Sequence, residues 1–483
     1  MEISLEQARR RAKELLRAAR NQDVEALARL RADRDVPRLA DAQRAVAADL
    51  GFASWPALVA HVEATQGDRA ERRRRLLDFA LGTGDVARPR WDRAQALLDH
   101  DPALAEGDLA VALVIGDAPA VATALDADPD ALEREVEPTG KRPLLCATHS
   151  AFLRPDSPSA ADVLRVVELL LDRGADPSAT FTNEYGDMSA IYGAAGVAHH
   201  PEATTLLLER GANPDDGESV YHAVEAQDTT CLQILLDHGA TVRDTNALGN
   251  AIRDPEKVRV LLEHGDLRPE DDELRVRLLH AREDEVARML IAHGADVSIR
   301  NDDGLTPYDI AARFGDTSLM AILEEAGGKP TAADPVAAWI GAVVDGRPHG
   351  PAPPASLRRS DCELLPMMAS GGADQRVARL LDAGVPIDSP GLEGAAIHCA
   401  CLWGRPSTLR LLLERGADPM ALTELGLPLG YVAWGSGALD PEGERSDGYV
   451  ECAEILLALE VHVQQGYVDM ASDAVAELIE PRL

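Results

Sequence analysis

The stretch Leu207-Leu208-Glu209-Arg210-Gly211-Ala212-Asn213-Pro214 decides how this chain is read, because it recurs. Leu170-Leu171-Asp172-Arg173-Gly174 precedes it, and Leu235-Leu236-Asp237-His238-Gly239 and Leu261-Leu262-Glu263-His264-Gly265 follow. Variants stand at Leu290-Ile291-Ala292-His293-Gly294, Leu380-Leu381-Asp382-Ala383-Gly384 and Leu412-Leu413-Glu414-Arg415-Gly416. The glycines at 174, 211, 239, 265 and 294 lie 37, 28, 26 and 29 residues apart, and Gly384 and Gly416 lie 32 apart. Self-similarity at such a period marks a repeat array. In each copy the leucine pair ends a helix whose apolar face has nothing of its own to bury against. The glycine sits where the chain leaves the helix, a left-handed position that is least costly without a Cβ. Ala175-Asp176-Pro177, Ala212-Asn213-Pro214 and Ala417-Asp418-Pro419 then start a turn and stop the helix.

Working outward, a second element accompanies the first. Its clearest copy is Asn301-Asp302-Asp303-Gly304-Leu305-Thr306-Pro307-Tyr308-Asp309-Ile310-Ala311-Ala312-Arg313-Phe314-Gly315. Leu-Leu-x-x-Gly-Ala-Asp-Pro followed by Asp-Gly-x-Thr-Pro-Leu-His-x-Ala is similar to the ankyrin repeat, with Asp309 in place of the family's His. In Gly217-Glu218-Ser219-Val220-Tyr221-His222-Ala223 and Ala395-Ala396-Ile397-His398-Cys399-Ala400, His222 and His398 take that place. The likeness is tightest over 160–328 and 363–420. It is looser from 72 to 159, where Leu97-Leu98-Asp99-His100-Asp101-Pro102 and Ala124-Leu125-Asp126-Ala127-Asp128-Pro129 are degenerate copies 27 residues apart. It implies an all-α solenoid of stacked helix-turn-helix repeats. The units ending at Gly239 and Gly265 fall short of the family's about 33 residues, so their turn fingers are expected to be trimmed. Phe152-Leu153-Arg154-Pro155-Asp156-Ser157-Pro158 and Gly435-Ser436-Gly437-Ala438-Leu439-Asp440-Pro441-Glu442-Gly443 are expected to be insertions. A tolerated surface loop and a piece of binding face both fit them.

Residues 1–66 precede the repeats and are expected to form a helical cap. Leu5, Ala8, Ala12, Leu15, Leu16 and Ala19 share one helical face, Ala26, Leu27 and Leu30 continue on a second helix, and Ser54 reads as an N-cap with Pro56 in the first turn. This segment resembles one that precedes ankyrin arrays in bacterial proteins. The first array then covers 67–328, with 67–159 degenerate. Over 329–362, Pro335 to Val344 reads as half of an eroded repeat, and the Pro/Gly-rich run 345–355 reads as a linker or long loop. A second array covers 363–483, closed by an amphipathic helix from Val468 to Ile479. Two lobes are expected, joined by a bent stack.

Composition agrees with this reading. The chain has 483 residues, 46% hydrophobic but only 4% aromatic, so its core is built from Leu, Ala and Val. Long alternating runs of β-branched residues are absent, which argues against a large sheet. The formal net charge is −34. Such a surface repels phosphate backbones and anionic membranes, so no nucleic-acid or membrane partner is expected, and a basic protein or peptide is. The cysteines Cys146, Cys231, Cys362, Cys399, Cys401 and Cys452 match neither a disulfide framework nor a zinc knuckle. With neither a leader pattern nor a long apolar run, a cytoplasmic monomer is expected.

No catalytic residue, cofactor or metal is assigned. His398, Cys399 and Cys401 invite a metal, but side chains two apart on a helix point about 200° apart, and the resemblance gives His398 a structural hydrogen bond. His222 carries the same structural reading. His199-His200 reads as a solvated loop, and Arg72-Arg73-Arg74-Arg75 as a solvated helix face. Gly82-Thr83-Gly84 and Gly327-Gly328-Lys329-Pro330-Thr331 lack Walker spacing. What remains is an interaction surface. The resemblance places Glu184, Tyr185, Asp215, Asp216, Asp302 and Asp303 at finger tips, and Arg313, Phe314, Leu402, Trp403 and Trp434 at variable inner-helix ends. Trp and Arg are enriched at binding hot spots, and Trp403 and Trp434 lie about one repeat apart in comparable positions, where packing between helices is the competing reading. The function expected is a protein-binding scaffold with an acidic groove. The alternatives are an enzyme working on a small molecule with a pair of its 82 acidic residues as acid and base, and an acidic mimic of nucleic acid.

Overall fold

A computed structural model of the chain describes residues 4–20, 23–30, 39–65, 67–83, 89–183, 186–330, 335–351, 357–391, 393–423, 426–440, 445–479 and 482. The chain divides into two compact units, Met1–Asp296 and Val297–Leu483.

The first unit opens with helices Leu5–Arg20, Val24–Leu30, Leu39–Asp49 and Trp55–Thr65. Ala8, Ala12, Leu15, Leu16 and Ala19 are buried along the first of them, and the Ser54 hydroxyl caps the fourth by accepting from the Ala57 amide at 3.2 Å. From Arg69 onward the helices come in pairs: Arg69–Leu81 with Trp91–His100, Leu109–Ile115 with Ala118–Ala127, and Pro143–Thr148 with Ala160–Asp172. Ala190–Tyr192 then runs into a π-helical turn, Gly193–Val197, and pairs with Pro201–Glu209. Ser219–Ala223 with Thr230–Asp237, Ala247–Ala251 with Pro255–His264, and Asp272–Arg277 with Asp284–Ala292 complete the unit. The first helices of successive pairs pack on one another, and from Ala118–Ala127 onward so do the second helices. Among the described residues the strands are Thr180–Asn183 and Gly186–Ser189, an antiparallel finger in which Thr180 faces Ser189 and Phe181 faces Met188.

The second unit repeats the plan with Pro307–Arg313 and Thr317–Glu325, Leu364–Ser370 and Asp374–Asp382, Ala396–Leu402 and Pro406–Glu414, and Pro428–Ala438 and Ser446–Leu457. Gln465–Met470 and Asp473–Ile479 end it. Among the described residues, no helix is long and apolar enough to cross a membrane.

The recurring leucines do what their spacing predicts. The first leucine of each pair (Leu170, Leu207, Leu235, Leu261, Leu290, Leu380 and Leu412) has no exposed surface, which stabilises by about 1.5–3 kcal/mol per side chain. Beyond it, the Gly174 amide donates to the Leu171 carbonyl and the Ala175 amide to the Leu170 carbonyl, both at 3.0 Å. These two bonds, with the glycine in the left-handed region, are the Schellman arrangement. It returns at Gly211, Gly239, Gly294, Gly384 and Gly416. Gly265 departs: its φ is −79°, and it is followed by Asp266-Leu267 where the other units have a small or β-branched residue. The Asp266 carboxylate instead accepts from the Val242 amide at 2.9 Å and pairs with Arg243 at 3.0 Å, tying this unit to the preceding one.

Several expectations give way to packing. The stretch expected as an insertion at 152–158 begins inside the core, since Phe152 and Leu153 have no exposed surface. The one at 435–443 is partly helical. Gly435 and Gly437 lie where the helix Pro428–Ala438 crosses its neighbours so closely that a Cβ would stand 2.2 Å from the Leu402 carbonyl oxygen and 2.1 Å from that of Met470. Residues 441–443 lie outside the described residues. Within 329–362, the helix read over Pro335 to Val344 is present as Pro335–Asp345, and it buries Trp339, Ile340, Val343 and Val344 in one core with Leu364 and Leu365. The single closing helix expected over 468–479 is two, broken at Ala471-Ser472, where the Ser472 amide donates to the Ser436 hydroxyl at 3.1 Å. His199-His200 is no solvated loop, because His200 is buried and its Nδ1 caps helix Pro201–Glu209 by accepting from the Ala203 amide at 3.2 Å. Arg72 and Arg73 leave the solvated-face reading too. Arg72 donates to Asp101 at 2.9 Å and Arg73 to the Leu104 and Glu106 carbonyls at 3.0 and 3.1 Å.

Candidate functional site

Of the expected finger-tip residues, Glu184 and Tyr185 lie outside the described residues. Asp215 and Asp216 line one shallow cavity of about 240 Å³, together with Pro214, Thr241, Arg243 and Asp244. Both carboxylates are already engaged there. Asp215 accepts from the Thr241 amide at 2.6 Å and its hydroxyl at 2.8 Å. Asp216 caps helix Ser219–Ala223 by accepting from the Ser219 amide at 2.8 Å and hydroxyl at 2.7 Å, and it also accepts from the Ser189 hydroxyl at 2.5 Å. Asp302 and Asp303 are exposed on a tip held by the Asn301 side chain, which accepts from the Asp303 and Leu305 amides at 3.1 and 2.9 Å.

The inner-helix residues divide. Arg313 and Leu402 are not surface residues, being only 3% and 2% exposed. Arg313 forms an ion pair at 2.5 Å with Asp361, which has no exposed surface, so its charge is spent inside the unit. Leu402 sits in the core, and Phe314 is half-buried against it. Trp403 and Trp434 are not in comparable positions. Trp403 ends helix Ala396–Leu402, packs on the core, donates from Nε1 to Glu393 at 3.1 Å and lies 5.3 Å beneath the Arg445 guanidinium. Trp434 lies within helix Pro428–Ala438 and is 45% exposed. His398 keeps its structural role, donating from Nε2 to the Ala421 carbonyl at 2.9 Å. Burial pushes the thiol of Cys399 up to about 12 and raises that of Cys401 well above its ordinary value, which leaves both as protonated core groups.

A more distinctive arrangement runs along the first helices of the first unit. The His149 ring meets Phe181 edge-on at 5.1 Å and Tyr192 at 5.8 Å, Tyr192 meets His222 at 5.1 Å, and His222 meets Tyr221 at 4.9 Å. Local backbone chemistry makes this row possible. The Ser189 hydroxyl starts the helix by accepting from the Tyr192 amide at 2.9 Å, and the chain then widens into the π-helical turn Gly193–Val197. Turns of that kind concentrate at functional sites. Gly193 and Gly196 leave room for the rings: a Cβ on Gly193 would stand 2.6 Å from His149 Nδ1, and one on Gly196 2.8 Å from the Tyr192 ring.

The row is charged at both ends. At one end, His222 Nδ1 lies 3.2 Å from Glu225 and Nε2 3.5 Å from Glu218. Burial works against the imidazolium there, but the Glu225 hydrogen bond and the charges of Glu225, Glu218 and Asp216 outweigh it and raise the His222 pKa. Burial and the same three carboxylates raise the Tyr192 pKa. At the other end, the Lys141 ammonium stands 3.9 Å from the Phe181 ring centroid. Between them, burial first and the Lys141 charge second push His149 down to about 3, so it is neutral. Its Nδ1 donates to the Leu145 carbonyl at 3.0 Å, which leaves Nε2 an acceptor sealed from solvent and without a partner.

Apart from His222, read as structural, none of these ring residues or Lys141 was singled out by the sequence reading. The available signal was compositional. In a chain with 7 Tyr, 5 Phe and 13 His, each of these units contributes a ring from its first helix or finger. Among the described residues, no group of three or more His, Cys, Asp or Glu side chains is placed to hold a metal ion.

Comparison with known proteins covers parts of this architecture. The family model described as ankyrin repeats in many copies matches residues 276–323, and the single ankyrin repeat matches 395–424. Ankyrin repeat and SOCS box protein 11 of Danio rerio is 29% identical over 133 residues. That alignment takes in 26% of this chain and 36% of the relative, so the chain spans about a third of the relative's length. The crystal structure of the human ASB11 ankyrin repeat domain aligns with 49% of this chain and 97% of its own, at 21% identity and a TM-score of 0.25. Two stretches therefore match ankyrin-repeat models, and the same leucine-glycine helix ends recur along both units: the chain carries ankyrin repeats.

Proposed function

We propose that the chain is a protein-binding scaffold that takes a basic segment of its partner against the first-helix row of the unit Met1–Asp296. Ankyrin repeats support a protein–protein interaction role. The observation that carries the basic partner is the cluster of Glu218, Glu225 and Asp216 around the rings of Tyr192, Tyr221 and His222. Glu225 is exposed, while Tyr192, Tyr221, His222 and Glu218 are partly so. Rings beside carboxylates suit a guanidinium or ammonium group, which gains from the ring face and the charge together. The net charge of −34 steers such a partner toward the surface from a distance.

The reading is tested on an immobilised peptide array that varies Arg and Lys content at fixed length. Basic peptides are expected to bind the wild-type chain. The double variant Glu218→Gln, Glu225→Gln should lose about tenfold in affinity, roughly 1.4 kcal/mol. Raising ionic strength should weaken capture steeply, because exposed charges are screened over about 10 Å at 0.1 M salt. Capture that is indifferent to peptide charge, or to the two glutamates, would sink the proposal.

A further inference from the structure

The opposite end of the ring row carries a different chemistry. The chain has lysine only at Lys13, Lys141, Lys257 and Lys329. Lys257 is committed, donating to the Ala226 carbonyl at 2.8 Å and pairing with Asp254 at 3.3 Å. Lys141 is not. It is 8% exposed, its ammonium lies over the Phe181 ring, and among the described residues it has no carboxylate partner. In a chain carrying 82 acidic side chains, a nearly buried cation left without one is unusual.

Its surroundings keep it so. The neighbouring Arg142 is satisfied by Glu133 at 3.1 Å and by the Thr180 carbonyl at 3.4 Å. Cys146, also close, stays a thiol because burial pushes it up to about 11. His149 is neutral and offers only a sealed lone pair. Lys141 as a whole keeps 8% of its surface exposed, so it is not sealed off completely. The Phe181 ring face attracts the cation but leaves its charge uncancelled. An unpaired ammonium on an apolar wall is complementary to one negative charge. A dianion would meet the repulsion of the whole chain with a single cation to offset it.

We propose that Lys141 Nζ, seated on Phe181 and walled by His149, is a binding subsite for a monocarboxylate. It lies at the far end of the ring row from Glu218 and Glu225, so a ligand engaging both would present a carboxylate at one end and a cation at the other. The subsite itself does not depend on the basic-partner reading.

The experiment uses full-length chain labelled with 13C,15N-lysine, whose four side-chain resonances are assigned with the help of Lys141→Arg. Sodium acetate and the blocked peptide acetyl-Ala-Ala-Asp-Ala-Ala-amide are titrated separately, against sodium chloride at matched ionic strength. Acetate is expected to move the Lys141 Cε resonance along a saturating curve and to raise the pH at which Lys141 titrates, with Lys257 and Lys329 unmoved. A peptide that saturates at or below the acetate concentration identifies the source as a partner's acidic side chain. A peptide that does not bind while acetate does identifies a free carboxylate. Equal, non-saturating drifts at all four lysines, or reproduction of the effect by chloride, mean an adventitious ion only and overturn the assignment. The same titration on Glu218→Gln, Glu225→Gln should be unchanged, which separates failure of this subsite from failure of the basic-partner site.

Discussion

At the scale of single residues, the decisive groups are charges hidden from water. Asp361 has no exposed surface and holds Arg313 on one oxygen, while its other oxygen accepts from Arg358, from the amide at 2.8 Å and from Nε at 3.1 Å. Removing one member of a buried pair strands the other. Asp361→Asn or Arg313→Ala should therefore cost about 3–5 kcal/mol, while replacing both members with apolar groups should cost less than either single change. Urea unfolding of the three variants measures this, and an additive double variant would show that the pair is not coupled. The histidines make two opposite pH predictions. His149 titrates near 3 when folded, below its ordinary 6.5, so the unfolded chain takes up a proton first as the pH falls. Stability from this group is complete above about 6.5 and is lost below it, by up to about 1.4 kcal/mol per pH unit. His222 is raised, so its contribution is complete below the unfolded value and disappears as the pH rises through the folded one. Thermal melts between about pH 5 and 8 should become less acid-sensitive in His149→Gln and lose stability at the acid end in His222→Gln. Arg313 also shows what was hidden in the sequence. Its type suited a binding surface, but its partner Asp361 lies 48 positions away, and no local pattern announces such a pairing.

At the scale of helices and turns, legibility follows the range of the interaction. The glycine helix ends could be read because the bonds that close them, such as Ala175 to Leu170, span only a few residues. Ser54 as a cap was legible for the same reason. The burial of Phe152 and Leu153 and of residues 435–438 was hidden because polar and glycine-rich composition signals a loop, whereas burial is decided by packing partners far along the chain, as where Gly435 abuts Leu402. The ring row was missed on similar grounds, since Phe181, His149, Tyr192 and His222 come together only when neighbouring units stack. Two substitutions test these elements. Phe152→Ala should destabilise by about 3–5 kcal/mol as a core truncation; a cost below about 1 kcal/mol would return the segment to a surface loop. Gly435→Ala sets helix propensity, a gain of about 1 kcal/mol, against a Cβ 2.2 Å from a backbone carbonyl that has no freedom to rotate away. Overpacking costs about 1–3 kcal/mol, so net destabilisation is expected in denaturant unfolding, and a more stable variant would mean the helices separate without penalty.

At the scale of the whole chain, charge sets two effects of salt against each other. The structure is laced with ion pairs between exposed side chains, such as Arg134 with Asp128 and Arg415 with Asp382. Each is worth about 0–1 kcal/mol, and screening weakens it. Against them stands the repulsion of 82 acidic side chains that only 48 lysines and arginines offset, a net charge of −34. This repulsion acts in the compact state and is relieved when the chain expands, so screening it favours folding. A net excess of that size exceeds what scattered pairs return, and the pairs that matter most, Arg313 with Asp361 above all, are buried where salt reaches them little. Moderate sodium chloride is therefore expected to raise the melting temperature even as it weakens capture of basic peptides. Opposite signs for the two measurements on one sample distinguish a long-range field from specific contacts. A melting temperature that falls with salt would mean that the exposed ion pairs, not the excess charge, govern stability. The acidic surface would then be held together by its arginines, and steering of a basic partner by net charge would lose its basis.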